Sequence, residues 1–199
     1  MNGLEELYQQ IILDASKERH GEGKLEDPDG ESFQVNPTCG DQVTMQVKLS
    51  DDGTRLEDIK WDGHGCSISQ ASISIMSDML EGKSIDDLND LYRAFREMMD
   101  ARGEEISEDL ADILADASAF QGVSKFPARI KCALLGWMAL REATDEALER
   151  YAPAACEESR SEEGSSGKNK STENHSAENS SEEDSFAEDS FAHRATEEL

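Results

Sequence analysis

Val43-Thr44-Met45-Gln46-Val47-Lys48-Leu49 is the stretch that decides the fold. Val43, Met45, Val47 and Leu49 are apolar, and the residues between them are polar. A period of two predicts a strand with one buried face and one wet face. Asp51-Asp52-Gly53 then turns the chain, and residues 55–61 supply the returning strand, so the pair reads as a hairpin. A short strand at residues 32–35 is expected ahead of it.

Past Gly65 the period changes. Ile68, Ser72, Ile75, Met76 and Met79 mark one face of a helix that stops at Gly82. Ser84 opens the next helix, with Asp87 three residues on as a capping box and Leu88, Leu91, Tyr92, Phe95, Met98 and Met99 as its stripe. Residues 107–119 read as a shorter helix with Leu110, Ile113 and Leu114 inward. Pro127 suits the first turn of a last long helix, whose core face is Ile130, Leu134, Trp137, Met138 and Leu140. Before the hairpin, Leu4, Leu7, Tyr8, Ile11 and Ile12 recur at helical spacing over residues 4–19. Gly21, Gly23 and Asp27-Pro28-Asp29-Gly30 break that helix. The order is helix, small antiparallel sheet, then a run of helices, which is an α+β layout with about five helices.

The 199 residues carry a formal charge of −26. Nucleic-acid binding needs a basic footprint, and an anionic membrane surface attracts basic segments, so both partners are excluded. No apolar run reaches the length of a membrane span. Met1-Asn2-Gly3-Leu4-Glu5-Glu6 has neither the basic region nor the apolar core of a secretory signal, so the cytoplasm, with reduced thiols, is the expected compartment. Composition breaks near Pro153. Residues 153–199 hold 13 acidic and 4 basic side chains, ten serines and two aromatics, too little apolar surface to offset chain ordering. A folded domain over residues 1–152 and a disordered acidic tail over 153–199 are expected. The tail repeats itself in Glu183-Asp184-Ser185-Phe186-Ala187 and Glu188-Asp189-Ser190-Phe191-Ala192.

Three of the four cysteines sit in distinctive settings. Cys39 lies in Asn36-Pro37-Thr38-Cys39-Gly40-Asp41, where Cys39 and Asp41, two residues apart in an extended stretch, can face one centre. Cys66 follows Gly65 at a helix start, where free N–H groups favour an anion. Cys132 stands beside Lys131 and near Arg129, cations that favour its thiolate. Three thiolates and a carboxylate suit tetrahedral zinc or an iron–sulfur cluster. Without a C-x-x-C pair, the alternative of three separate buried thiols stays open. Cys156, among acidic neighbours, is set aside, and His64 is placed on the rim of the site.

Asn36-Pro37-x-Cys39-Gly40-Asp41, Gly65-Cys66-Ser67-Ile68-Ser69 and Arg129-x-Lys131-Cys132-Ala133-Leu134-Leu135 resemble the three signatures of the IscU/NifU N-terminal family of iron–sulfur cluster assembly proteins. The sequence looks most like the SufU branch of that family. Lys131 stands where the scaffold branch has His, and residues 89–118 resemble the SufU insertion. The resemblance implies a three-stranded antiparallel sheet packed by helices. It implies zinc held by Cys39, Asp41, Cys66 and Cys132, with a [2Fe–2S] cluster on the same ligands as the alternative. It implies that Cys39 accepts persulfide sulfur from a PLP-dependent cysteine desulfurase of SufS type, that Arg129 engages that enzyme, and that a downstream iron–sulfur scaffold complex receives the sulfur.

Overall fold

A computed structural model describes residues 3–151. The expected tail, with its repeat and Cys156, lies outside the described residues. β1 (Gly30–Asn36), β2 (Asp41–Leu49) and β3 (Leu56–His64) form one antiparallel sheet in the order β1-β2-β3. The alternation read in β2 is what the strand displays: Val43, Met45, Val47 and Leu49 are buried, and Thr44, Gln46 and Lys48 are half-exposed. β1 is longer than residues 32–35, because its ladder runs from Gly30↔Val47 to Asn36↔Asp41.

α1 (Gly3–Glu18) precedes the sheet; α2 (Ser67–Leu80), α3 (Ile85–Asp100), α4 (Glu108–Leu114) and α5 (Pro127–Tyr151) follow it. α5 lies across β1 and β2 and also packs on α2, which in turn packs on α1. The capping box at Ser84 and Asp87 is formed in both directions, and every residue of the expected α3 stripe is buried. Phe95 of that stripe stacks on Trp137 at 4.6 Å and meets Phe120 edge-on at 5.7 Å. These contacts tie α3 to α5 and to a 3₁₀ segment, Ala115–Lys125.

Four expectations need correction. The expected α1 stripe docks only in part: Leu4 and Leu7 are exposed, Ile11 and Ile12 are half-buried, and the residue buried outright is Ala15. α2 is buried on nearly all sides from Ala71 to Ser77 rather than along one face, since it is packed between α1 and α5. Two of its serines are bonded to other parts of the chain: Ser72 Oγ donates to the Ala133 carbonyl at 2.7 Å and accepts from Trp137 Nε1 at 3.0 Å, and Ser74 Oγ accepts from His20 N at 2.9 Å, whereas the buried Ser77 Oγ has no hydrogen-bond partner among the described residues. The helix expected over 107–119 ends at Leu114, where Ala115 takes φ 43°, and Ile113 is exposed. In two turns only Leu110 and Leu114, four apart, share the inward row. Met138 is also exposed, in a row with Lys131, Glu142 and Asp145 along the wet side of α5. No helix among the described residues is long and apolar enough to cross a membrane.

Candidate metal centre

The β1–β2 turn, the β3–α2 junction and the first turns of α5 meet at one end of the sheet. Pairing of Asn36 with Asp41 closes residues 37–40 into a tight turn. The Asn36 carbonyl accepts from Cys39 N at 3.2 Å and Gly40 N at 2.9 Å. Gly40 takes φ +73°, a conformation that side chains disfavour, and so lets the turn return into β2. Cys39 is thus a turn residue, not a strand residue, and it meets Asp41 through turn geometry rather than strand alternation.

Cys66 is the N-cap of α2. Asp41 reaches across to it: Cys66 N donates to Asp41 Oδ1 at 2.9 Å, and Cys66 Sγ lies 3.6 Å from Asp41 Oδ2. The crossing needs a glycine at 65. A Cβ there would stand 2.4 Å from Ser69 Oγ and 3.0 Å from Asp41 Cγ, so these atoms would have to shift. From α5, Cys132 Sγ points at Cys39 Sγ at 3.2 Å. All three thiols are free.

Cys39, Asp41 and Cys132 bring one ligand atom each within 4.8 Å of one another, a group that could hold a metal ion. Cys66 adjoins the group through Asp41. Burial is uneven: Asp41 is 1 % exposed and Cys132 2 %, whereas Cys39 and Cys66 are exposed. Burial pushes the Cys132 thiol up, and Asp41, Cys39 and Cys66 push it further. This corrects the reading that neighbouring cations favour its thiolate, for Arg129 and Lys131 are both exposed. A buried carboxylate packed among thiols suits a cation, which reverses that local pKa logic. Two sulfur donors and a carboxylate suit zinc, which takes such ligands.

The NifU-like N-terminal domain family matches residues 7–133. The chain belongs to this family. Over 142 residues it is 45 % identical to the zinc-dependent sulfurtransferase SufU of Bacillus subtilis, covering 70 % of this chain and 90 % of that protein. It is 41 % identical over 145 residues to the iron–sulfur cluster assembly scaffold protein IscU of Streptococcus pyogenes, covering 72 % and 86 %. A crystal structure from Fervidobacterium islandicum, described as a candidate iron–sulfur cluster assembly scaffold for the SUF system, superposes with a TM-score of 0.59. It is 32 % identical and covers 68 % of this chain and 94 % of that one.

Two residues of this NifU-like domain escaped the sequence reading of the site. Asn36 is 4 % exposed, and its Nδ2 donates to Cys132 Sγ at 3.3 Å. Ser69 is buried, and its hydroxyl lies 2.9 Å from the Cys66 carbonyl and 3.7 Å from Cys66 Sγ. Both stood inside the motifs that drew attention to the cysteines. The signal that could have found them is a small polar residue at a position that the pattern buries. His64 is exposed at the end of β3, with Nδ1 3.2 Å from Gln42 Nε2. Arg129 is exposed one turn before Cys132, its guanidinium 4.5 Å from the centre of the Phe126 ring.

Proposed function

We propose that this chain is a zinc-dependent sulfurtransferase of iron–sulfur cluster assembly that accepts persulfide sulfur on Cys39. The observation that carries the reading is the unequal setting of the donors. Cys132 and Asp41 are buried on regular elements, whereas Cys39 is exposed on a turn. The similarity to SufU of Bacillus subtilis supports it independently.

Cys39, Asp41, Cys66 and Cys132 are the residues that would hold zinc. When bound, the ion would keep its sulfur donors as thiolates and tie the turn to α5. Cys39 can leave that set by movement of residues 37–40 alone, while Asp41, Cys66 and Cys132 stay on β2, α2 and α5. The freed Cys39 thiolate attacks the outer sulfur of a donor persulfide. A Cys39 Sγ–S bond forms, the S–S bond of the donor breaks, and the donor cysteine departs as thiolate. The proposed donor is a PLP-dependent cysteine desulfurase of SufS type, and Arg129 is the proposed anchor for it. The sulfur would pass on to a separate scaffold complex.

The test is desulfurase turnover with and without this protein. Wild type should stimulate it and Cys39→Ala should not; equal stimulation by the two sinks the relay. A cluster-scaffold role on the same donors is the second reading, favoured by the similarity to the Streptococcus IscU. Metal analysis of protein purified without added iron separates them: stoichiometric zinc supports relay, and bound iron with brown colour supports the scaffold.

A further inference from the structure

We propose that Asn36 is a positioning residue that orients the Cys132 sulfur as a metal donor while its other bonds shape the Cys39 turn. The proposal rests on reading the site as a metal centre. Asn36 is the last residue of β1 and is 4 % exposed. Its side chain works in two directions at once. Oδ1 accepts from Thr38 N at 3.2 Å, an Asx-turn that shapes the entry to the Cys39 turn. Nδ2 donates to Cys132 Sγ at 3.3 Å, across a sequence separation of 96 residues.

The orientation of the carboxamide follows from chemistry. A backbone N–H can only donate, so the atom facing Thr38 N is the oxygen, and the NH₂ group then faces the sulfur. Sulfur accepts an N–H bond on a lone pair that metal ligation leaves free, so the contact is compatible with a ligated Cys132. The main-chain carbonyl of Asn36 meanwhile accepts from Cys39 N and Gly40 N. One buried residue therefore touches the turn through three acceptor bonds and the α5 thiol through one donor bond. Groups that hydrogen-bond a metal ligand orient it, and their loss typically weakens metal binding about 10–100-fold. Asn36 needs no titration for this role, because an amide stays neutral.

Two measurements test it. The first uses wild-type protein loaded with ¹¹³Cd. The Asn36 side-chain amide protons should show scalar coupling to the cadmium through the N–H···S bond. Coupling from cadmium to the cysteine β-protons without coupling to Asn36 overturns this proposal and leaves the metal reading standing. Failure of cadmium to couple to Cys39, Cys66 and Cys132 overturns the metal reading itself. The second measurement compares zinc affinities by chelator competition. Asn36→Ser keeps a hydroxyl that can accept from Thr38 N but cannot reach the sulfur, and should hold zinc about tenfold more weakly. Asn36→Asp keeps the Asx-turn and sets a carboxylate against the sulfur, and should be weaker still. Affinities equal to wild type in both variants reduce Asn36 to a turn former and overturn the proposal. Where a variant fails to fold, the wild-type coupling decides.

Discussion

Cys39 and Cys132 carry the same side chain and approach each other to 3.2 Å, yet the chain holds them in opposite ways. Cys132 is 2 % exposed on a 25-residue helix, and a buried amide donates to its sulfur. Cys39 is exposed on a four-residue turn held by hydrogen bonds to one residue, Asn36. The difference shows how a donor set can be stable and able to open. In the donor set proposed above, Asp41, Cys66 and Cys132 lie on or at the end of regular elements whose movement would disturb the core. The fourth rides on a segment whose movement disturbs little else.

The largest expected effect that probes this comparison is in thiol reactivity. In folded, metal-free protein, iodoacetamide should modify Cys39 about a hundredfold faster than Cys132, the ratio set by roughly 2.7 kcal/mol of local opening. Peptide mapping of a time course reads it, and equal rates would erase the contrast. Next comes stability without metal. Cys132→Ala leaves the Asn36 amide buried without its acceptor and should lower unfolding free energy in urea by about 2 kcal/mol. Cys39→Ala, in an exposed turn, should stay within about 0.5 kcal/mol of wild type. A Cys39→Ala loss as large as that of Cys132→Ala would contradict the distinction between turn and anchor. The smallest effect concerns the other anchor: Ser69→Ala should destabilise by about 1 kcal/mol, the net worth of one hydrogen bond. No change would remove Ser69 from the support of Cys66.

Much of this was legible in the sequence, for reasons that differ by element. The period of two in Val43 to Leu49 and the capping box at Ser84 are local, and local chemistry decides them. The α1 stripe was read as one face, but which part of it finds a partner depends on where α2 and the 3₁₀ segment lie. Ser72 and Ser74 of α2 are buried where their hydroxyls meet Ala133, Trp137 and His20 from elsewhere in the chain. The candidate site divides in the same way. Its cysteines and Asp41 stood out by residue type and motif. The bond from Asn36 to Cys132 spans 96 residues and could not be read before β1 and α5 were placed together. The setting of Cys132 divides along the same line: Lys131 and Arg129 adjoin it in sequence but are exposed, and burial pushes its thiol up in the metal-free chain.

The most direct test of the central claim is persulfide mapping by mass spectrometry after incubating the full chain with a PLP-dependent cysteine desulfurase and cysteine. One added sulfur on Cys39, with Cys66 and Cys132 unmodified, is the predicted result. Sulfur on Cys66 or Cys132 instead, or on no cysteine while the desulfurase turns over, would contradict the account.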